Sequence, residues 1–335
     1  MLRGRRRFLL GAGACALLPA HPLAALAAAS RARYTVRVAS NQAAENSTLQ
    51  QLMSDRGFAR ALSLDVHIVE GRTISAPMEA LLADEADVCM ISGFVGVLPA
   101  IEQGKPLRLV GAAMLLPALA VYTRDSGIRG VADLRGRTVG VGAMNGLLHI
   151  LMLALLRKRG VDATQVKFVN AGSNAQVLDA VLARTVAAGL SGIAGMGGAN
   201  AARVLEDGRL WQQLPEYTYQ PAYASLRALR ERPQQLARCL AAYTRLYRYL
   251  SGPRSKAAYL DARRRATGEA GSAEGEAVWD FIQTVQPYAL RPGLTAARTQ
   301  WLQELNVAVG LQTRVLPFDQ VADEGPARAA QRLLG

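Results

Sequence analysis

Five residues, Gly142, Ala143, Met144, Asn145 and Gly146, separate a short apolar strand candidate from an apolar helix candidate. The first N–H groups of such a helix have no intrahelical partner and can hold an anion or a carbonyl oxygen. The helix dipole adds only about 0.3–1 kcal/mol, so selectivity has to come from side chains. Asn145 and Gly146 are the nearest candidates, and His149 follows within the first turns of the helix. Three polar pairs stand just past other strand candidates: Ser40 with Asn41, Ser92 with Gly93, and Ser191 with Gly192. Tyr217, Tyr219 and Tyr223 form an aromatic group whose rings serve a hinge core or stack on a ligand, Tyr219 being the ligand-binding candidate. Each hydroxyl or amide also has a plainer role as a cap of a helix or turn.

These residue types suit binding better than bond-making. The three histidines, His21, His67 and His149, have no HxxxH spacing, and no CxxC pair exists, so no metal site and no cofactor is expected. No Gly-x-Ser-x-Gly elbow is present, and no serine or cysteine has an evident base near it in sequence. Gly140-x-Gly142 and Gly195-x-Gly197 begin like dinucleotide loops, but Asn145 and Asn200 occupy the third glycine position. Lys105, Lys158, Lys167 and Lys256 fall on expected turns or helix surfaces, which disfavours a Schiff-base lysine.

The chain has 335 residues, half of them apolar, enough for two lobes with separate cores. It opens with Arg5-Arg6-Arg7-Phe8-Leu9-Leu10 and an Ala- and Leu-rich run ending in Ala27-Ala28-Ala29. This is the layout of a cleaved export signal over residues 1–29, and the arginine pair favours the Tat route. Pro19, His21 and Pro22 interrupt the run before it reaches the ~20 residues of a membrane span. Cys15 leaves lipidation as a second reading, with Ala12 where a lipobox wants leucine. The expected location is the periplasm. The net charge is +13, and removing four leader arginines leaves +9. The remaining arginines are scattered among acids without an aromatic-interleaved stripe, so a solvated basic surface is expected and nucleic acid is not. Cys89 and Cys239 read as two separate buried thiols.

Strands are expected at residues 34–39, 65–69 and 87–91, with helices at about 46–57 and 74–86 between them. Asn46, Ser47 and Thr48 offer the cap of the first helix and Gly57 its end. Residues 107–112 and 119–123 read as two further strands. The pattern restarts with strands at 139–141, 166–169 and 186–190 around helices at 147–159 and 175–183. Residues 217–226 read as extended, and helices follow at 234–250, 255–266, 273–285 and 295–309. Strand–helix alternation with short links predicts parallel, doubly wound sheets whose ligands sit at the carboxyl ends of the strands.

Several ordered pieces carry a resemblance. They are Glu79-Ala-Leu-Leu-Ala-Asp-Glu-Ala-Asp-Val88, Gly104-Lys-Pro-Leu-Arg-Leu-Val110, the Asp133-Leu-Arg-Gly-Arg137 turn within residues 126–141, and His149 with Gly160-Val-Asp162 across one helix. Over about residues 36–250 the chain resembles the SsuA-like substrate-binding proteins of ABC importers, which handle sulfonates, taurine and nitrate. The resemblance implies a two-lobed α/β fold of the periplasmic-binding-protein type II, each lobe a doubly wound sheet flanked by helices. Its two hinge crossings would lie near residues 119–124 and 217–223. It also implies lobe 1 over 30–123, lobe 2 over 124–218, and a return to lobe 1 over 219–335 with a helical C-terminal part. A small-molecule ligand, ABC permease and ATPase partners in the inner membrane, a monomer and no catalysis are implied as well. Leu147 and Leu148 stand where many relatives carry Ser-Thr, and Arg184 and Ala187 replace a usual glycine and aspartate, which weakens the sulfonate assignment. The alternatives are an enzyme on the same fold, such as a pyrimidine-precursor synthase or a chorismate-dehydratase-like protein, and the effector domain of a transcriptional regulator. Export disfavours the enzymes, and the regulator would need a helix-turn-helix ahead of the first strand.

Overall fold

A computed structural model describes residues 34–92, 94–197, 202–268 and 273–335. The leader with Cys15, Gly93 and Asn200 lie outside the described residues. The chain runs β1 (Tyr34–Asn41), α1 (Ala44–Arg56), β2 (Leu64–Gly71), α2 (Ala76–Leu82), β3 (Val88–Cys89), α3 (Val97–Glu102) and β4 (Leu107–Met114). It continues with β5 (Leu119–Thr123), β6 (Thr138–Val141), α4 (Leu147–Lys158), β7 (Lys167–Asn170), α5 (Asn174–Leu182), β8 (Ala188–Gly192), β9 (Arg203–Arg209) and α6 (Leu210–Gln213). The return comprises β10 (Gln220–Ser225), α7 (Leu226–Glu231), α8 (Pro233–Leu250), α9 (Lys256–Thr267), α10 (Ala273–Val285), α11 (Ala296–Ala308), α12 (Phe318–Val321) and α13 (Gly325–Leu334).

Two five-stranded sheets result, ordered β2-β1-β3-β10-β4 and β7-β6-β8-β5-β9. In the first, β1 is parallel to β2 and β3, and β10 runs antiparallel to both β3 and β4. In the second, β6 is parallel to β7 and β8, while β5 is antiparallel to β8 and β9. The mixed α/β architecture with helices flanking two sheets agrees with the expected fold class.

The sheets are joined at residues 115–118 and 214–219. Leu119–Thr123, expected as the first crossing and the end of the first lobe, is a full, buried strand of the second sheet. Its alternative fate was invisible to periodicity, because a buried strand reads apolar in either sheet. β9 was not expected either; it is a charged edge strand that, among the described residues, pairs with β5. Two helices differ in extent. α1 begins at Ala44, and Asn46 lies inside it rather than capping it, because Asn41 Oδ1 accepts the Ala43 N–H at 3.3 Å and the Asn46 amide at 2.5 Å. α2 ends at Leu82, and Asp84 turns the chain with φ +60°.

The C-terminal helices pack on the first sheet: α8 lies against β1 and β4, and α13 against α8 and β4. One buried carboxylate fastens this return. Asp87 accepts the Arg37 backbone N–H at 2.8 Å, the Arg37 guanidinium at 2.7 Å and Arg232 Nη1 at 3.1 Å, joining β1, β3 and the start of α8. Cys89 and Cys239 are buried, unbridged thiols.

Candidate functional site

Strand direction decides where the polar loops meet. β10 starts directly after the second crossing and lies antiparallel to β3, with Gln220 opposite Met114 and Tyr223 opposite Cys89. The carboxyl ends of β3 and β4 therefore point at the crossings. β5 starts directly after the first crossing, with Leu119 opposite Gly192, so β8 and its parallel neighbour β6 end on the crossing side too. Ser40, Asn41 and Ser92 from one sheet, and Asn145, Gly146 and Ser191 from the other, are thus brought to the same end of their sheets.

The loop after β6 is positioned by local chemistry. Asp133 Oδ2 accepts the N–H groups of Arg129 and Gly130 at 2.8 and 3.0 Å, and Gly136 takes φ +72°. Only glycine adopts that region freely, which is why the Asp-Leu-Arg-Gly-Arg turn delivers β6 as it does. Past β6, Asn145 is left-handed at φ +62° and donates its N–H to His149 Nδ1 at 3.0 Å. Gly146 donates to the Ala143 carbonyl at 2.9 Å. Neither backbone group points to solvent as an unpaired donor, contrary to the sequence-based expectation. Leu147, Leu148 and His149 form the first-turn positions ahead of the Ile150-to-Gly146 bond that opens α4.

His149 is buried, its ring meets Phe168 edge-on at 4.8 Å, and burial holds its pKa below the ordinary value. Its Nδ1 closes the turn, so the ring serves the loop. Ser191 Oγ donates to the Asn174 carbonyl at 2.6 Å, and Ser40 Oγ reaches the Asn41 carbonyl at 3.2 Å. The Ser92 carbonyl accepts from Cys89 Sγ at 3.1 Å and from the Tyr223 hydroxyl at 3.1 Å. Tyr219 packs against both large apolar cores, and burial pushes its hydroxyl up to about 12. Its neighbours Thr218 and Gln220 carry a buried hydroxyl and a buried amide oxygen without hydrogen-bond partners.

Two residues escaped sequence reasoning. Asn174 is exposed at the start of α5, and its Nδ2 lies 3.4 Å from where a side chain on Gly192 would begin. The signal was present as the Ser173-x-x-Gln176 capping box, which fixes that helix start. Glu45, in the first turn of α1, accepts the hydroxyls of Tyr259 at 2.8 Å and Tyr288 at 3.1 Å. It ties the Asn41 loop to the C-terminal helices, and burial raises its pKa. Among the described residues no group of three or more His, Cys, Asp or Glu side chains is placed to hold a metal, and no helix is long and apolar enough to cross a membrane.

Two sheets joined by two crossings, with the strand ends converging on them, define a periplasmic-binding-protein fold. Solved structures of that fold are similar throughout. The periplasmic aliphatic sulphonate binding protein SsuA from Escherichia coli superposes with a TM-score of 0.71 at 18% identity, covering 87% of this chain and 92% of that one. The alkanesulfonate-binding protein SsuA from Xanthomonas axonopodis pv. citri, bound to MOPS, gives 0.66 at 21% identity, covering 86% and 97%. The desulfurization enzyme DSZB gives 0.62 at 18% identity, covering 90% and 100%. No curated protein matches by sequence. The family described as NMT1/THI5 like matches residues 51–253, more than half of the 335, and the chain belongs to that family.

Proposed function

We propose that this protein is the solute receptor of an ABC importer, exported to the periplasm and acting as a monomer on permease and ATPase subunits in the inner membrane. Its two lobes close on a small polar or anionic organic solute of the sulfonate, nitrate or taurine kind. A ligand touching both lobes favours the closed state by its differential affinity for that state. The observation that carries this reading is the convergence of the β3, β4, β6 and β8 ends on the two crossings. Asn145 and Asn174 offer side-chain amides there, and Ser40, Asn41, Ser92, Gly146, Ser191 and Tyr219 shape the walls.

Similarity to DSZB keeps an enzymatic reading in play. The thiols argue for binding instead, since burial raises the pKa of both Cys89 and Cys239, where a nucleophile needs the thiolate. Lys105 and Lys167 stand at the amino ends of β4 and β7, and Lys158 at the far end of α4, all remote from the strand ends described above. Titrating the full-length protein with sulfonates, nitrate, carboxylates and pyrimidines should give thermal stabilisation and contraction in small-angle scattering for at least one class. Turnover of any of them, or no response to all of them, overturns the receptor reading.

A further inference from the structure

An open cavity of about 710 Å³ is lined by the last turn of α4, by α11 and by the second crossing. That volume lies in the range that takes small molecules. Leu214, Trp301 and Val315 give it an apolar wall, and Val315 is 40% exposed. α4 supplies two cations, Arg157 and Lys158, while Glu304 of α11 and Glu216 of the crossing supply two acids. Among the described residues no ion pair joins these cations to these acids. Glu304 accepts the Gln300 amide at 2.8 Å, which leaves its charge uncompensated, and Glu216 acts on the half-buried Arg298, whose pKa burial lowers and that carboxylate raises. Arg298, one turn before Trp301, donates to the carbonyls of Leu115 at 3.2 Å and Glu216 at 3.3 Å, one from each crossing. The Trp301 ring meets Tyr217 edge-on at 5.9 Å. One wall of the cavity is therefore the stretch of α11 that holds the two crossings together.

We propose that this cavity is a second small-molecule site, set against the hinge and separate from the strand ends, that takes an α-amino acid with a large apolar side chain. Its carboxylate meets Arg157 and Lys158, its ammonium meets Glu304, and its side chain covers Leu214, Trp301 and Val315. Cations and acids that line one cavity without pairing leave room between them for a molecule carrying both charges. A simple anion would bring its charge beside Glu304 unpaired, and a simple cation would do the same beside Arg157 and Lys158, so both are selected against. The apolar wall adds its gain only for a ligand with apolar surface to bury. An occupant braces α4 against α11 and so stiffens both crossings.

The test is calorimetric titration of the full-length protein with L-phenylalanine and L-leucine, followed by amide hydrogen exchange. Phenylalanine should bind about tenfold or more tighter than N-acetylphenylalanine, phenylalaninamide or glycine, which lack the ammonium, the carboxylate and the apolar side chain in turn. Arg157→Gln with Lys158→Gln should weaken phenylalanine by a similar factor. Both residues are exposed in the last turn of α4, and the derivative series needs no substitution, so the result does not depend on how the variant folds. Bound phenylalanine should slow exchange at residues 154–158 and 301–308 and in both crossings. Lack of binding by either amino acid, equal affinity for the derivatives, or protection confined to the strand ends overturns the site. None of these outcomes decides the receptor reading, which has its own titration series and its own contraction in scattering.

Discussion

The backbone N–H of Asn145 donates to Nδ1 of His149 at 3.0 Å, so the histidine closes the turn that starts its own helix. That bond needs a neutral imidazole with an unprotonated Nδ1, and burial already disfavours the charged ring.

A pH dependence follows. The folded pKa of His149 lies below the unfolded value near 6.5, so below about that pH the unfolded chain takes up the proton first. The stabilisation is complete above that pH and is lost as pH falls through the window beneath it. Melting temperatures measured from about pH 7.5 to pH 5 should decline more steeply in the native protein than in His149→Gln, which keeps an acceptor but does not titrate. Parallel slopes would rule out this role.

Asp87 is buried and satisfies Arg37 and Arg232 together. Asp87→Ala leaves guanidinium groups without their anion and should cost about 3–5 kcal/mol in denaturant unfolding. Asp87→Asn, which retains one acceptor oxygen, should lose less. The reverse order would show that packing, and not charge, governs the site.

Thr218 is buried at the second crossing with its hydroxyl unpaired. Thr218→Val keeps the shape and removes the unsatisfied group, so unfolding free energy should rise by about 1 kcal/mol. A fall would mean that the hydroxyl finds a partner in solution.

Arg184 occupies a left-handed conformation at φ +58°, at the position where the resemblance led one to expect glycine. The L side chain is strained there by roughly 1–2 kcal/mol, partly offset by the greater unfolded-state freedom of glycine. Arg184→Gly should therefore stabilise by up to about 1 kcal/mol by calorimetry, and a loss of stability would assign Arg184 a contact that outweighs the strain.

Local pattern was enough to place most elements and to put Ser40, Asn145 and Ser191 at strand ends. Apolar periodicity, Gly57 at a helix end and the Asp133 turn act over a few residues, and so they are legible in order along the chain. Family-specific pieces such as His149 with Gly160 carried the two-lobed architecture. Tertiary structure alone decided which sheet receives Leu119–Thr123, since hydrogen-bond partners 70 residues away cannot be read from an apolar run. It alone showed that Asn145 spends its N–H on His149 and that Glu45 is held by Tyr259 of α9 and by Tyr288, which follows α10. The sheet assignment and the Glu45 contacts depend on residues distant in sequence, and the His149 ring is seated by its packing on Phe168, so their free energy exists only once the chain is packed.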